Sequence, residues 1–305
     1  MRDLVLKTYG ITKKYGNQLS NDDINITVRK GDIYGLIGKN GAGKTTLIRV
    51  ITGLAHKTSG HIELFGRSGE RKLNDSRTMI GSLIESPAFY PNMTARENLE
   101  VSRIFRNIAG KECVDEVLDL VGLSDAGKKK VKNFSLGMKQ RLGIANALLG
   151  NPKLLILDEP INGLDPMGII EIRELLKKLN REKDMTIIIS SHILGELSEL
   201  ATCYGIMSEG KLIEEISEEV LNEKCRQNVE IKVDDKDRAV VLIEKEMGIK
   251  NYIVLENNII KIFDNLDQVG LINSTLSING VIVESIGLKG ESLEEYFMTL
   301  VGGAK

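Results

Sequence analysis

The segment Gly38-Lys39-Asn40-Gly41-Ala42-Gly43-Lys44-Thr45-Thr46 has the residue types and spacing to hold a chain of phosphates. Its pattern is G-x-x-x-x-G-K-T. A glycine-rich turn between a strand and a helix lets several backbone N–H groups point at one anion. Lys44 would reach the β- and γ-phosphates of a nucleoside triphosphate, and the Thr45 hydroxyl would hold a Mg²⁺ ion. The competing interpretation is a glycine turn that binds nothing. A second set of groups argues against it. Leu154-Leu155-Ile156-Leu157 runs straight into Asp158-Glu159, so a buried strand delivers two carboxylates. In a phosphate-loop protein such an aspartate joins the Mg²⁺ shell, and the second carboxylate can accept a proton from attacking water. His192 follows another aliphatic run, Thr186 to Ser190, at the strand end where ligands bind in open α/β sheets.

These groups need particular elements to position them. Ile33 to Ile37 has the length of a buried strand, and Thr46-Leu47-Ile48-Arg49-Val50-Ile51 continues unbroken as a helix. Residues from Leu4 to Val28 read as strands, with Ile24, Ile26 and Val28 alternating with polar neighbours. Tyr15 stands ahead of the loop, either as an ordinary strand-end tyrosine or as a ring on which a nucleobase stacks. Residues 61–66 and 80–84 read as strands, and the polar stretch 67–78 between them reads as a surface loop. Thr94 and Glu97 form a capping box for a helix. Val114, Val117, Leu118 and Val121 then make a helical stripe, so residues 92–150 are mainly helix. Ser135 is placed to cap the helix that begins at Leu136; a capped helix start offers free N–H groups to an anion, though most capped helices bind nothing. Pro166 suits the first turn of a helix whose stripe is Ile172, Leu175, Leu176 and Leu179.

Composition limits what such a site can serve. The 305 residues suggest one large domain or two of ordinary size. Hydrophobic residues at 42% can build a packed core, and a net charge of −2 gives no overall attraction to nucleic acid. Cys113, Cys203 and Cys225 are scattered, odd in number and without metal-ligand spacing, which fits a reducing compartment. The amino terminus has no long apolar segment of a secretory signal. No apolar run approaches the ~18–20 residues that span a bilayer, so work at a membrane would need another polypeptide. Beyond Ser217 the pattern changes to strand 229–233, helix 236–247, strands 251–256 and 258–263, helix 265–277, strand 281–287 and helix 291–301. The order β-α-β-β-α-β is that of a ferredoxin-like unit, with no visible chemistry.

Over about residues 4–216 the order of parts resembles the nucleotide-binding subunit of an ABC transporter. Tyr15 matches the aromatic stacking position, Gly38 to Thr46 the Walker A loop and Ser135 to Arg141 the signature segment. Ile156 to Pro160 match Walker B, Asn162 to Asp165 the D-loop, and His192 the switch histidine. The resemblance implies an α/β fold: a P-loop ABC-type domain over 1–219, with a helical subdomain at about 85–150, followed by a small α+β domain over 225–305. It implies that ATP and Mg²⁺ bind. Tyr15, Gly38, Asn40, Gly41, Ala42, Gly43, Lys44, Thr45 and Thr46 would meet the nucleotide; Thr45, Asp158 and Glu85 would meet the metal; Glu159 and His192 would be catalytic. Ser135, Gly137 and Asp165 would serve the nucleotide of a second copy in a head-to-tail pair. The expected partners are that second copy and a polytopic membrane permease, at the cytoplasmic face of the membrane, with no nucleic acid. The rival readings are a soluble ABC-type ATPase acting on nucleic acid or ribosomes, and a regulatory subunit.

Two departures from the family pattern stand out. Leu136 and Met138 replace the first glycine and the glutamine of the signature, while Ser135 and Gly137 remain. Glu85 stands where a glutamine is usual; a carboxylate adds negative charge and cannot donate as an amide does, unless Glu85 is only a loop residue. Both departures resemble the subgroup that exports antimicrobial peptides of the bacitracin and lantibiotic kind, as does the carboxyl-terminal segment from Ser292 to Phe297 and Gly302-Gly303.

Overall fold

The computed structural model describes residues 3–85, 87–290 and 293–302; Ser292 and Gly303 of the carboxyl-terminal resemblance lie outside them. Contacts divide the chain into a unit ending at Glu218 and a unit covering Glu219–Gly302.

The first unit opens with β1 (Leu4–Tyr15), β2 (Gln18–Ile24), β3 (Thr27–Arg29), β4 (Ile33–Ile37), α1 (Lys44–Thr52), β5 (Ser59–Leu64), α2 (Glu70–Arg77) and β6 (Ile80–Leu83). It continues with α3 (Ala95–Phe105), α4 (Glu112–Leu120), α5 (Leu136–Leu148), β7 (Leu154–Asp158), α6 (Pro166–Lys183), β8 (Thr186–Ser191), α7 (Leu194–Ser198), β9 (Cys203–Ser208) and β10 (Lys211–Ser217). One sheet is antiparallel, with β1 paired to β2, β3 and β5. The other has the order β10-β9-β4-β8-β7-β6 and is parallel except for the β9–β10 hairpin at one edge. Every residue of β4, β7 and β8 is buried, which is why these strands read as unbroken aliphatic runs. Leu47, Ile48, Val50 and Ile51 of α1 share one core with Leu6, Val28 and Leu64 of the first sheet and with Leu154, Ile156 and Ile188 of the second. That helix is thus fixed by packing, and with it the loop at its start.

The alternating run through Val28 is broken. β2 ends at Ile24 and β3 begins at Thr27, and the Thr8 hydroxyl spans the gap by donating to the Ile24 carbonyl and accepting from the Ile26 N–H, both at 2.9 Å. Residues 67–78 are not a loop throughout, since α2 occupies Glu70–Arg77. Only Leu73 and Ser76 of this helix are buried, and its Gly69 N-cap offers no side-chain bond. Composition therefore hid both its apolar face and its start. The Thr94 capping box forms in both directions, with Glu97 N–H donating to Thr94 Oγ1 at 3.2 Å and Thr94 N–H to Glu97 Oε2 at 2.7 Å.

The second unit contains most of α8 (Glu218–Lys224), then β11 (Asn228–Val233), α9 (Lys236–Lys245), β12 (Tyr252–Val254), β13 (Ile259–Ile262), α10 (Val269–Ile278), β14 (Val283–Lys289) and α11 (Leu293–Gly302). Its sheet has the order β12-β13-β11-β14 with every pairing antiparallel. Val229, Ile231 and Val233 point to one face, where Ala239 and Ile243 of α9 and Ile272 and Leu276 of α10 complete a separate core.

Candidate active site

Parallel pairing brings the chemistry to one end of the second sheet. In register, Ile37 lies opposite Ser191, and Asp158 opposite Ser190. The phosphate loop, the carboxylate pair and the histidine therefore leave adjacent strands at the same edge. The loop is shaped by close backbone approach. A Cβ on Gly38 would lie 2.6 Å from the Met207 carbonyl oxygen. Gly43 has φ +100°, and a Cβ there would collide with the Ser20 carbonyl.

Lys44 is buried, and its Nζ donates to the Gly38 carbonyl at 2.6 Å. The same ammonium is 3.2 Å from Glu159 Oε1. The other Glu159 oxygen, Oε2, is 2.8 Å from His192 Nδ1. Thr45 Oγ1 donates to Asp158 Oδ2 at 2.8 Å. Ser190 Oγ donates to Asp158 Oδ1 at 2.6 Å and accepts the Glu159 N–H at 2.9 Å. Glu159 has a left-handed backbone, φ 49°, a conformation that non-glycine residues adopt uncommonly and often at functional sites. The result is one connected network from Thr45 through Asp158, Ser190 and Glu159 to Lys44 and His192. Asn40 to Thr46 line the cleft above it together with Gln18, Leu19, Ser20, Glu159, Glu209 and Gly210.

Other candidate residues lie elsewhere. Tyr15 is 46% exposed at the end of β1 and pairs with the cleft-lining Gln18, but is not itself part of that lining. Ser135, Gly137 and Asp165 line a different cleft, with Leu136, Arg141 and Leu164. There Ser135 Oγ accepts from Met138 N–H at 3.2 Å, capping α5, and Asp165 Oδ1 accepts from Gly168 N–H at 3.1 Å, capping α6. None of these three lines the phosphate-loop cleft of the same chain. Glu85 does not line the phosphate-loop cleft; its exposed carboxylate is ion-paired with Arg49.

A divalent cation fits the cleft as a companion of the phosphates. Among the described residues no group of three or more His, Cys, Asp or Glu side chains could hold a metal by itself. Thr45 Oγ1 and the buried Asp158 carboxylate supply two hard oxygens side by side, the small protein share usual for Mg²⁺ held mainly by phosphate and water.

Ser190 and Asn21 join the site by hydrogen bonds that no motif announced. Asn21 Nδ2 donates to the Gly43 carbonyl at 3.1 Å, bracing the loop from β2. The available signal for Ser190 was a hydroxyl at the end of an otherwise aliphatic strand. Ser190→Ala should lower kcat for phosphate release by about tenfold, the low end for losing a group that orients a metal ligand. Unchanged turnover would show that Asp158 and Glu159 hold their places without it.

An ABC transporter family model matches residues 21–162. The chain is 49% identical over 299 residues to the bacitracin transport ATP-binding protein BcrA of Bacillus licheniformis, covering 98% of each. The chain belongs to the ABC transporter ATP-binding family. This ABC protein is also 47% identical over 209 residues to the lantibiotic transport ATP-binding protein SrtF of Streptococcus pyogenes, covering 68% of this chain and 89% of that one. Among solved structures it resembles a dimeric ATP-binding cassette in a post-hydrolysis state with ADP and Pi, at TM-score 0.63 and 25% identity, over 70% of this chain and 98% of that one. As an ABC ATPase it binds and hydrolyses ATP, and its cleft is lined by the phosphate loop and the start of α1, by Glu159 after β7, by residues of β2 and by the β9–β10 turn.

Proposed function

We propose that this ABC ATPase energises export of an antimicrobial peptide of the bacitracin or lantibiotic kind through a separate membrane permease, as a head-to-tail pair that buries two ATP molecules. The observation that carries the substrate class is the end-to-end likeness to the bacitracin transport protein, which spans both units. The pairing is supported by the two clefts: Ser135 and Asp165 line one, Lys44 and Glu159 the other. A second copy, turned head to tail, would set one cleft over the other.

In this reading Lys44 and the loop N–H groups take the β- and γ-phosphates. Glu159 now occupies Lys44, so an entering phosphate replaces a carboxylate on the ammonium. Thr45 and Asp158 would hold Mg²⁺, which supplies charge neutralisation on the phosphates. Freed from Lys44 and still held by His192 Nδ1, the Glu159 carboxylate accepts the proton of the water that attacks the γ-phosphorus. Ser135 and the start of α5 face the same phosphate from the partner. Most of the catalysis is positioning and electrostatics.

No helix among the described residues is long and apolar enough to cross a membrane. In this reading the chain sits at the cytoplasmic face through its permease, by likeness to transport ATP-binding proteins. The region from Glu85 to Ile104 would carry the movement into the permease, a reading supported by the exposed Tyr90, Ile104 and, just beyond it, Phe105. The test is co-purification from native membranes, together with the sensitivity of cells lacking the pair. A polytopic membrane protein should come with the chain, and such cells should become sensitive to bacitracin or a lantibiotic. Bound RNA or ribosomes with unchanged sensitivity would contradict the proposal.

A further inference from the structure

Arg49 follows Thr45 by four residues on α1, so both side chains lie on one face of the helix, about 6 Å apart along its axis. The Arg49 guanidinium is ion-paired with the Glu85 carboxylate. Glu85 comes two residues after the end of β6, and β6 runs parallel to β7 with Leu83 opposite Leu157. Extending that register sets Glu85 alongside Glu159. Both glutamates have left-handed backbones, with φ 60° and 49°, so two neighbouring strands each end in a carboxylate on a sharp bend. Arg49 is not among the residues that line the nucleotide cleft. Its own backbone position is about one helical turn from Thr45, whose hydroxyl meets Asp158, and its guanidinium holds the Glu85 carboxylate.

We propose that Arg49 is a positioning residue: it parks Glu85 away from the Thr45–Asp158 pair and so sets how tightly the divalent cation accompanying the nucleotide is held. The inference rests on the assignment of Thr45 and Asp158 as ligands of that cation. With Arg49 present, the Glu85 charge is neutralised and turned outward. Without it, an unpaired carboxylate on a bent strand end lies within reach of a dication, and opposite charges at that range attract. An ion pair that served only the surface would leave metal affinity unchanged.

The test is Mn²⁺ binding to the full chain with a non-hydrolysable ATP analogue, read by the electron paramagnetic resonance of free Mn²⁺, which needs no turnover. Arg49→Gln should bind Mn²⁺ about three- to tenfold more tightly than the unaltered chain. This is smaller than the ~10–100-fold typical of groups that orient a metal ligand directly, because the pair is partly exposed. Glu85→Gln should stay within about twofold of the unaltered chain, and the double variant should match Glu85→Gln, since the Arg49 effect passes through Glu85. Arg49→Lys, which keeps the charge, should restore the original affinity. Equal affinity in Arg49→Gln overturns the proposal. So does a tightening that persists in the double variant, because it would then be a direct effect of removing a cation. Failure of the unaltered chain to bind Mn²⁺ with the analogue would remove the ligand assignment itself, and this inference with it.

Discussion

Glu159→Gln should lose about 10²–10⁴-fold in kcat while keeping its affinity for ATP, the range expected when a general base is removed. The amide has nearly the shape of the carboxylate and can keep a hydrogen bond to His192 Nδ1, now 2.8 Å away, but it has no useful basicity. The Glu159 N–H to Ser190 Oγ bond is a backbone contact and survives the change. Affinity should hold or rise, because the carboxylate 3.2 Å from Lys44 Nζ competes with phosphate for the same ammonium. Phosphate release and equilibrium binding of a fluorescent ATP analogue measure the two quantities separately. Turnover at the ordinary rate would remove Glu159 from the role of base.

Lys44→Ala should weaken ATP binding by about 10²–10³-fold, or ~2.7–4.1 kcal/mol, within the range for truncating one partner of a buried, hydrogen-bonded charge pair. Lys44 is 5% exposed, and its ammonium meets the Gly38 carbonyl and the Glu159 carboxylate within 3.2 Å. Alanine leaves an uncompensated carboxylate facing the place where an anion must sit. Calorimetric titration with ATP reads the loss, and an unchanged circular dichroism spectrum separates it from misfolding. Affinity near that of the unaltered chain would mean that the loop N–H groups alone hold the phosphates.

Local spacing made the first half of this site readable. The phosphate loop, the strand into Asp158-Glu159 and the capping box at Thr94 are each decided by neighbours within a few residues, so their patterns survive in one sequence. The β-α-β-β-α-β order of the second unit was partly legible for a related reason: Val229, Ile231 and Val233 of β11 and Ile260 and Ile262 of β13 recur with period two on the buried face. What escaped was set by distant contacts. α2 buries only Leu73 and Ser76, too little to mark a stripe. Ser190 acquires its role because β7 and β8 pair in one register, which no local pattern encodes. Glu85 was placed with the metal by resemblance, yet its carboxylate rests on Arg49, a cation 36 residues away in sequence. The partition of Ser135 and Lys44 into separate clefts is likewise a matter of tertiary placement that no local pattern encodes.

The central claim is that each ATP is enclosed by two copies of the chain, and the molar mass of Glu159→Gln in solution tests it most directly. Light scattering on a sizing column should give the mass of one chain, 33.7 kDa, without nucleotide, and twice that with ATP and Mg²⁺. Adding Ser135→Arg should abolish the doubling while a fluorescent ATP analogue still binds the phosphate loop. A chain that stays monomeric with ATP, or one that hydrolyses ATP at full rate with arginine at position 135, would contradict the account.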